Sequence, residues 1–331
     1  MPDDSVLHET RGNVAYIPLN RPERLNALTD EMLDSVLAGV RRAEEDDEIK
    51  VVVIKGNGRC FSSGWDLNEI GRMYGIADVE SGERVRRPPQ RNGLVLDRRR
   101  SEKFAAMLLS TKTIVAQVHG YCLGAAWMLG LVCDFVIAAD DAVFAHNEQR
   151  LGASGTMWTL PLVIMHCGPK KARELLLTGR EFDAQEAERL NLINRVVPAA
   201  DLQKEVDALT KAICLLPRDG LAIGKAYTNM TYDLLRMVSP FLQYSASHPL
   251  VVGMKWAEDE LSFPKEPALD GPRELTGVAD VRRPRLRLAW PGRWVHLRPS
   301  GTEPVIRIIA EAATAEDAEA LISECRDVLD A

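Results

Sequence analysis

The chain has 331 residues, enough for one large domain or two domains. Its hydrophobic fraction of 46% and charged fraction of 27% are ordinary for a globular protein. The net charge of −7 argues against general nucleic-acid binding, and the longest apolar run, residues 121–133, is too short to span a membrane.

The six cysteines are scattered and form no CxxC pair, which favours reduced thiols over disulfides or a zinc site. The chain begins Met-Pro-Asp-Asp-Ser, which is acidic and polar and unlike a signal peptide. We therefore predict a cytoplasmic protein with no metal site and no membrane or nucleic-acid partner.

Hydrophobic patterns in the first half predict repeated strand–helix units. Residues 14–19 predict a strand, and Thr29 is a plausible N-cap of the helix that follows. Continuous apolar runs at residues 51–54, 114–118 and 135–139 predict buried strands. Helical stretches between them favour a largely parallel sheet.

Residues 71–100 differ in composition from the chain around them. They are rich in Gly, Pro and Arg, with seven Arg between Arg84 and Arg100. We interpret this segment as a solvated, mobile loop; the alternative is a lid or a contact for an anionic tail. Residues from 169 to about 232 are mostly helical in pattern, interrupted at residues 193–197.

Composition shifts again after about residue 265, where prolines and glycines predict a linker. We predict a main domain over residues 1–265, a linker over 266–284 and a small β-β-β-α unit over 285–331. Its strands are predicted at residues 286–290, 294–297 and 305–310, and its helix, N-capped by Thr314, at about 315–329.

Residues 118–130 are the most informative run, because a buried strand meets a tight Gly turn and an apolar helix that starts near Gly124. A helix start offers unpaired N–H groups and the positive end of the helix dipole, so it can hold a negative oxygen. Residues 121–133 contain no acid, Lys or Arg. Any acid or base must therefore come from elsewhere in the chain.

Three segments carry a family resemblance: residues 21–28 (Arg-Pro-Glu-Arg-Leu-Asn-Ala-Leu), residues 61–67 (Phe-Ser-Ser-Gly-Trp-Asp-Leu), and residues 118–126, leading on to 144–152. In this order and spacing they resemble the enoyl-CoA hydratase/isomerase (crotonase) superfamily over roughly residues 5–265. The resemblance implies an α/β fold with a crotonase-like spiral of strand–helix units, a helical C-terminal region and a small α+β tail. It also implies an acyl-CoA substrate, coenzyme A present only as part of that substrate, and a homotrimer or hexamer.

The resemblance also implies roles for particular residues. Family members hold the thioester oxygen of an enolate with two backbone N–H groups, which here belong to Trp65 and Ala125. Fixed donors aimed at developing charge lower the barrier without reorganising. The Trp65 side chain either shapes the acyl pocket or packs in the core. The residues implied in coenzyme A binding are Arg24, Ser63, Asp66 and Leu67.

Hydratases of this family use two glutamates, and this chain has Met128 at the first position and Glu148 at the second. Asp134 lies nine residues beyond Ala125, about 14 Å along a helix, and is expected to be structural. Two-carboxylate hydration is therefore poorly supported, and isomerisation or a single-glutamate hydratase/lyase reaction is favoured. Met128 is expected to line the pocket or the core.

His146 lies two residues before Glu148, so on a strand the two side chains would share a face. The pair could work as a coupled acid and base, or His146 could simply be a packing residue. The rival function from another class is a non-catalytic or weakly catalytic module that binds coenzyme A or phosphate.

Residues 298–307, Arg-Pro-Ser-Gly-Thr-Glu-Pro-Val-Ile-Arg, resemble the phosphate-binding loop of the C-terminal domain of phosphohexomutases. A Gly turn at Gly301 exposes N–H groups, Ser300 and Thr302 add hydroxyls, and Arg298 and Arg307 add forked cations. The phosphoserine and magnesium loops that such mutases need are not recognisable in the sequence, so mutase activity is not expected. The tail is either an inert appendage, which we favour, or a phosphate-binding element.

Overall fold

The computed structural model describes residues 4–74, 89–151 and 159–235. Towards the C-terminus it describes residues 286–290, 293–299, 306–311, 314, 317–320 and 322–323. The chain divides into two compact units, Met1–Gly271 and Pro272–Ala331. The predicted linker, residues 266–284, lies outside the described residues.

The first unit is built on a six-stranded sheet with a smaller three-stranded sheet beside it. Its strands are β1 (Glu9–Arg11), β2 (Val14–Leu19), β3 (Val51–Gly56), β4 (Thr113–Val118), β5 (Tyr121–Leu123), β6 (Phe135–Ala139), β7 (Val143–Ala145), β8 (Phe182–Asp183) and β9 (Arg195–Val197). The large sheet has the order β1-β2-β3-β4-β6-β9. Every pairing in it is parallel except that of β1 with β2, as the continuous apolar runs predicted.

Helices cover both faces of the large sheet. They are α1 (Asp30–Glu45), α2 (Leu67–Tyr74), α3 (Gln90–Leu108), α4 (Ala125–Leu131), α5 (Leu160–Thr178), α6 (Ala184–Arg189), α7 (Leu202–Cys214) and α8 (Arg218–Leu234). One face packs on α1, α3 and α4 in the main core, and the other packs on α7 through Leu202, Val206 and Ile213. None of the helices in the described ranges is long and apolar enough to cross a bilayer.

Local signals placed several helix boundaries correctly. The Thr29 side chain accepts from Met32 N at 3.2 Å and caps α1, as predicted. The helical region expected from residue 169 is the second part of α5, because Gly168 (φ 74°, ψ 163°) is non-helical and separates it from a first part that begins at Leu160. The expected interruption near residue 195 is β9.

The prediction of a solvated loop over residues 71–100 is wrong at both ends. Residues 71–74 complete α2, and residues 90–100 form the first half of α3. Arg100, one of the seven arginines, is 1% exposed and pairs with Asp30 on α1. The intervening residues 75–88, with the alternative of a lid, lie outside the described residues.

The small sheet positions α4. Strands β5 and β7 are parallel, and β7 pairs antiparallel with β8. The Phe182 ring of β8 stacks on Phe144 at 5.7 Å between centroids and meets Trp127 of α4 edge-on at 5.3 Å. These aromatic contacts fix α4 over the small sheet, so its first turn has a defined position.

The second unit contains an antiparallel sheet of β10 (Leu286–Trp290), β11 (Arg293–Pro299) and β12 (Ile306–Glu311). All three predicted strands are present. Thr314 Oγ1 accepts from Asp317 N at 3.2 Å, and residues 317–320 and 322–323 are helical, as the predicted N-cap requires.

Candidate active site

The first turn of α4 is one side of the candidate site. Gly124 precedes the helix with φ 50° and ψ −117°, and its carbonyl accepts from Met128 N at 3.1 Å. Ala125 is therefore the first helical residue, where the N–H group has no acceptor within the helix. The start of the helix directly after Gly124 agrees with the sequence pattern.

The segment that contains Trp65 lies directly against this turn. Ser62 pairs with β5, since its N donates to Tyr121 O at 2.9 Å and its O accepts from Leu123 N at 3.2 Å. A Cβ atom on Gly64, which has φ 94°, would lie 2.6 Å from Leu123 O and 3.5 Å from Ala125 N. The absence of a side chain at Gly64 thus lets the backbone next to Trp65 approach the start of α4.

A buried asparagine holds this segment in shape. Asn26, which is 0% exposed, donates from Nδ2 to Asn57 O at 2.8 Å and to Cys60 O at 2.9 Å. Ser62 Oγ donates to Asn26 O at 2.7 Å and accepts from Gly64 N at 3.1 Å. Asn26 lies inside the first of the three family segments, but no local pattern in the sequence predicted its structural role.

Glu148 lies at the mouth of the same turn, on a short 3₁₀ helix, Asn147–Leu151. A Cβ atom on Gly124 would be 2.9 Å from Glu148 Oε1 and 3.7 Å from its Cδ. The structure therefore brings together Glu148, Ala125 and the segment before Trp65, which are far apart in sequence.

His146 is next to Glu148 in space but not for the reason expected from the sequence. Strand β7 ends at Ala145, so the two side chains do not share a strand face. The 3₁₀ turn still brings His146 Nδ1 to 2.9 Å from Glu148 Oε2. The His146 side chain is 0% exposed, and that of Glu148 is 19% exposed.

Met128 and Asp134 have structural surroundings. Met128, one turn into α4, is 2% exposed and belongs to the main core. Asp134 Oδ2 accepts from Ile114 N and from Lys225 Nζ, each at 2.7 Å. Asp134 therefore ties α8 to β4, which agrees with the structural role expected for it.

The Trp65 side chain is half-buried and packs against the main core. The Arg100 guanidinium lies over the Trp65 ring, 4.3 Å from the ring centroid. Arg100 is in turn held by Asp30, with Nε to Oδ1 at 2.9 Å and Nη2 to Oδ2 at 2.9 Å. Burial raises the pKa of the nearby Glu69 carboxyl, whose Oε1 lies 3.8 Å from Arg100.

The residues implied in coenzyme A binding lie near one another on the 3₁₀ helix Pro22–Arg24 and around the start of α2. Arg24 is exposed, while Ser63 and Leu67 are half-buried. Asp66 Oδ2 accepts from both terminal nitrogens of Arg21 at 3.2 Å, and its Oδ1 accepts from Asn68 N at 3.1 Å. The Asp66 carboxylate thus joins the family segment at Arg21 to the first turn of α2.

Two other chemistries find little support near this turn. Burial raises the pKa of the Cys122 thiol in β5 well above its usual value, so Cys122 is a poor nucleophile. The described part of the chain holds no group of three His, Cys, Asp or Glu side chains placed to bind a metal ion.

In the second unit, Arg298 of β11 and Arg307 of β12 are register partners across the antiparallel ladder. The two arginines of the predicted phosphate loop are therefore adjacent positions. Ser300, Gly301 and Thr302, the rest of that prediction, lie outside the described residues.

Comparison with known proteins gives two matches in different parts of the chain. Residues 9–238 match the family model described as enoyl-CoA hydratase/isomerase. Residues 264–328 match that of the phosphoglucomutase/phosphomannomutase C-terminal domain. Both matches confirm the resemblances found in the sequence.

Individual relatives agree with the first match. A probable enoyl-CoA hydratase of Mycobacterium bovis is 32% identical over 70% of this chain and 83% of its own length. A probable mitochondrial enoyl-CoA hydratase of Dictyostelium discoideum is 31% identical over 68% of this chain and 76% of its own length.

Solved structures confirm the predicted fold. The crystal structure of a probable enoyl-CoA hydratase from Mycobacterium smegmatis has a TM-score of 0.65 at 28% identity, covering 75% of this chain and 96% of its own. That of an enoyl-CoA hydratase/isomerase from Xanthobacter autotrophicus has a TM-score of 0.63 at 30% identity, covering 75% and 86%.

Proposed function

Because this chain belongs to the enoyl-CoA hydratase/isomerase family, we propose that it converts an acyl-CoA thioester through an enolate, with Glu148 as the acid and base. The observation that carries this proposal is the position of Glu148 Oε1 against the Gly124 turn. A carboxylate beside a helix start can remove a proton from the carbon next to a carbonyl whose oxygen the turn holds.

The oxyanion is held by the N–H groups of Trp65 and Ala125. The close approach of Gly64 to Ala125 N supports this, because it brings the two backbone segments to van der Waals distance. One such preorganised donor lowers the activation free energy by about 3 kcal/mol. No permanently bound cofactor is needed for the step, and coenzyme A enters as part of the substrate.

The single carboxylate supports isomerisation or a single-glutamate hydratase/lyase reaction over two-glutamate hydration. Met128 fills the position of the first hydratase glutamate and is buried in the core. Glu148 alone can take a proton from one carbon and return it to another, which is isomerisation. A single-glutamate hydratase/lyase reaction uses the same groups, whereas two-glutamate hydration would need a second acid that the site does not offer within the described residues.

The test uses a readout that does not depend on which product forms. The protein is incubated in D₂O with saturated and unsaturated acyl-CoA thioesters, and deuterium incorporation next to the carbonyl is followed by mass spectrometry alongside turnover. We expect exchange by the wild type and its loss in Glu148→Gln. Glu45→Gln, at an exposed position on α1, is the matched control and should exchange normally.

The rival proposal is a module that binds coenzyme A or phosphate without catalysis. Thioester binding by the wild type with neither exchange nor turnover on any member of the panel would favour this rival. Exchange that persists unchanged in Glu148→Gln would instead remove Glu148 from the proposed role.

We also propose a homotrimer or hexamer. Helix α8 carries a stripe of exposed apolar side chains at helical spacing: Ile223, Tyr227, Met230 and Leu234, which are 56%, 67%, 60% and 82% exposed. A stripe of this kind on a single chain supports burial against another subunit. The particle mass in solution, measured by light scattering, tests this.

The cysteines within the described ranges, Cys60, Cys122, Cys133, Cys167 and Cys214, form no disulfides. This supports a reducing compartment, and we propose that the protein is cytoplasmic.

A further inference from the structure

The two oxygens of Glu148 have different surroundings. Oε1 faces the Gly124 turn, where the proposed substrate carbonyl would lie. Oε2 is buried, and its close neighbour is His146 Nδ1 at 2.9 Å. One oxygen of the carboxylate thus faces the proposed substrate, and the other faces the protein interior.

His146 is an unusual residue to bury in this way. Its side chain is 0% exposed, and neither ring nitrogen makes a well-aligned hydrogen bond with any residue that the structure describes. Burying a polar group without a partner destabilises the folded state. The nearby carboxylate is the compensation that the structure offers.

The chemistry of the pair fixes where one proton must be. An ionised carboxylate can only accept hydrogen bonds, so an imidazole nitrogen at 2.9 Å must carry the hydrogen to avoid two facing lone pairs. The contact is bent in the free protein, and catalytic hydrogen bonds commonly align only when substrate is bound.

We propose that His146 is a positioning residue for Glu148, donating from Nδ1 to Oε2 so that Oε1 is held towards the substrate. The inference rests on the proposed function of Glu148. With no second carboxylate at position 128, one carboxylate must serve two carbon atoms in turn, and a fixed orientation matters more for it than for a paired acid.

Each proton is accounted for. The C–H bond next to the carbonyl breaks, its electron pair remains in the enolate, and the proton goes to Glu148 Oε1. The carboxyl proton of Glu148 exchanges with solvent in the meantime, and Glu148 then returns a proton to a carbon of the substrate, which restores the carboxylate. His146 keeps its Nδ1 hydrogen throughout and therefore acts through Glu148, without exchanging a proton with the substrate.

The test compares three substitutions at one position. In His146→Asn the amide nitrogen takes the place of Nδ1 and keeps the donor, whereas in His146→Gln it takes the place of Nε2. His146→Leu removes the donor and keeps an apolar volume. Deuterium exchange and turnover are measured with a thioester that the wild type processes.

We expect His146→Leu and His146→Gln to lower kcat by about 100-fold, the effect of a misplaced catalytic group, with KM nearly unchanged. His146→Asn should recover most of the loss. In a Glu148→Gln background the three substitutions should have little further effect, because residues that act as a unit are not additive.

Equal kcat values for the Asn and Gln variants would overturn the inference, and this comparison remains valid even if the Leu variant fails to fold. A persistent loss in the Glu148→Gln background would overturn it as well. Full exchange in Glu148→Gln alone would instead refute the proposed function, so the two failures are distinguishable.

Discussion

Gly124 has backbone dihedrals, φ 50° and ψ −117°, that residues with a side chain rarely adopt. Its hydrogen atom also faces Glu148 Oε1, where a methyl group would be only 2.9 Å away. The position therefore has two constraints, one from the backbone and one from the proposed catalytic carboxylate. The second is specific to this site and can be separated from the first.

Gly124→Ala should destabilise the fold by about 1–3 kcal/mol through its dihedrals. It should also lower kcat/KM by about 100-fold, because the methyl group displaces Glu148. Gly12→Ala is the matched control, since Gly12 has φ 58° and nothing within 4 Å of an added Cβ. Thermal unfolding and turnover are measured for both, and an equal loss of turnover would argue against the displacement of Glu148.

Met128 carries the other prediction at the residue scale. Met128→Glu restores the second carboxylate of a hydratase and should create or raise hydration of crotonyl-CoA. Met128→Gln has a similar size but no charge, so it should give no gain. Because Met128 is 2% exposed, the added carboxylate should lower the thermal midpoint. If hydration does not change, the pocket differs from that of a hydratase in more than this residue.

At the scale of elements, a buried ion-pair network joins α1 to α3 and supports the Trp65 ring. Arg100 on α3 pairs with Asp30 at the start of α1 and lies over Trp65. Lys103, one turn further along α3, pairs with Asp34 at 2.8 Å. The network thus links two helices to the side chain that follows Gly64 in the proposed oxyanion segment.

Arg100→Met should cost about 3 kcal/mol of the free energy of unfolding, because the buried Asp30 carboxylate would keep only Lys103, whose Nζ is 3.5 Å from Oδ1, as a partner. Arg98→Met is the control on the same helix: its pair with Glu102 spans 3.7 Å and is more than half exposed, so the change should stay below about 1 kcal/mol. Urea unfolding followed by circular dichroism measures both. Similar values for the two variants would mean that the buried pair is not a main support of this region.

At the scale of the whole molecule, the chain joins two units that match different families. The residues of the proposed active site all belong to Met1–Gly271. The second unit contains the register pair Arg298 and Arg307, and neither the favoured inert appendage nor the alternative phosphate-binding element predicts a catalytic contribution from it. We therefore expect the first unit to turn over the thioester without the second unit.

Truncation after Gly271 should leave thioester turnover within about twofold of the full chain, because no residue of the proposed site is removed. The measurement compares kcat and KM of the two forms at equal active concentration. A large loss would overturn the interpretation of the tail as an appendage.

The sequence by itself determined strands β2, β3, β4 and β6, the largely parallel sheet that they form, and both threonine N-caps, Thr29 and Thr314. These features depend on side-chain periodicity and on hydrogen bonds within about three residues, so a local pattern contains them. Motif spacing also predicted roles for Gly124, Ala125 and Glu148, and it showed that no acid stands at Met128.

Only the tertiary structure decided which of these groups meet. Arg100 looked like one arginine of a solvated run, yet Asp30, seventy residues away, neutralises and buries it. Likewise, the 3₁₀ turn after β7 places His146 in contact with Glu148. The small sheet places Glu148 next to Gly124. Such contacts depend on how distant elements pack, and no periodicity along the chain encodes which charges will face each other once water is excluded.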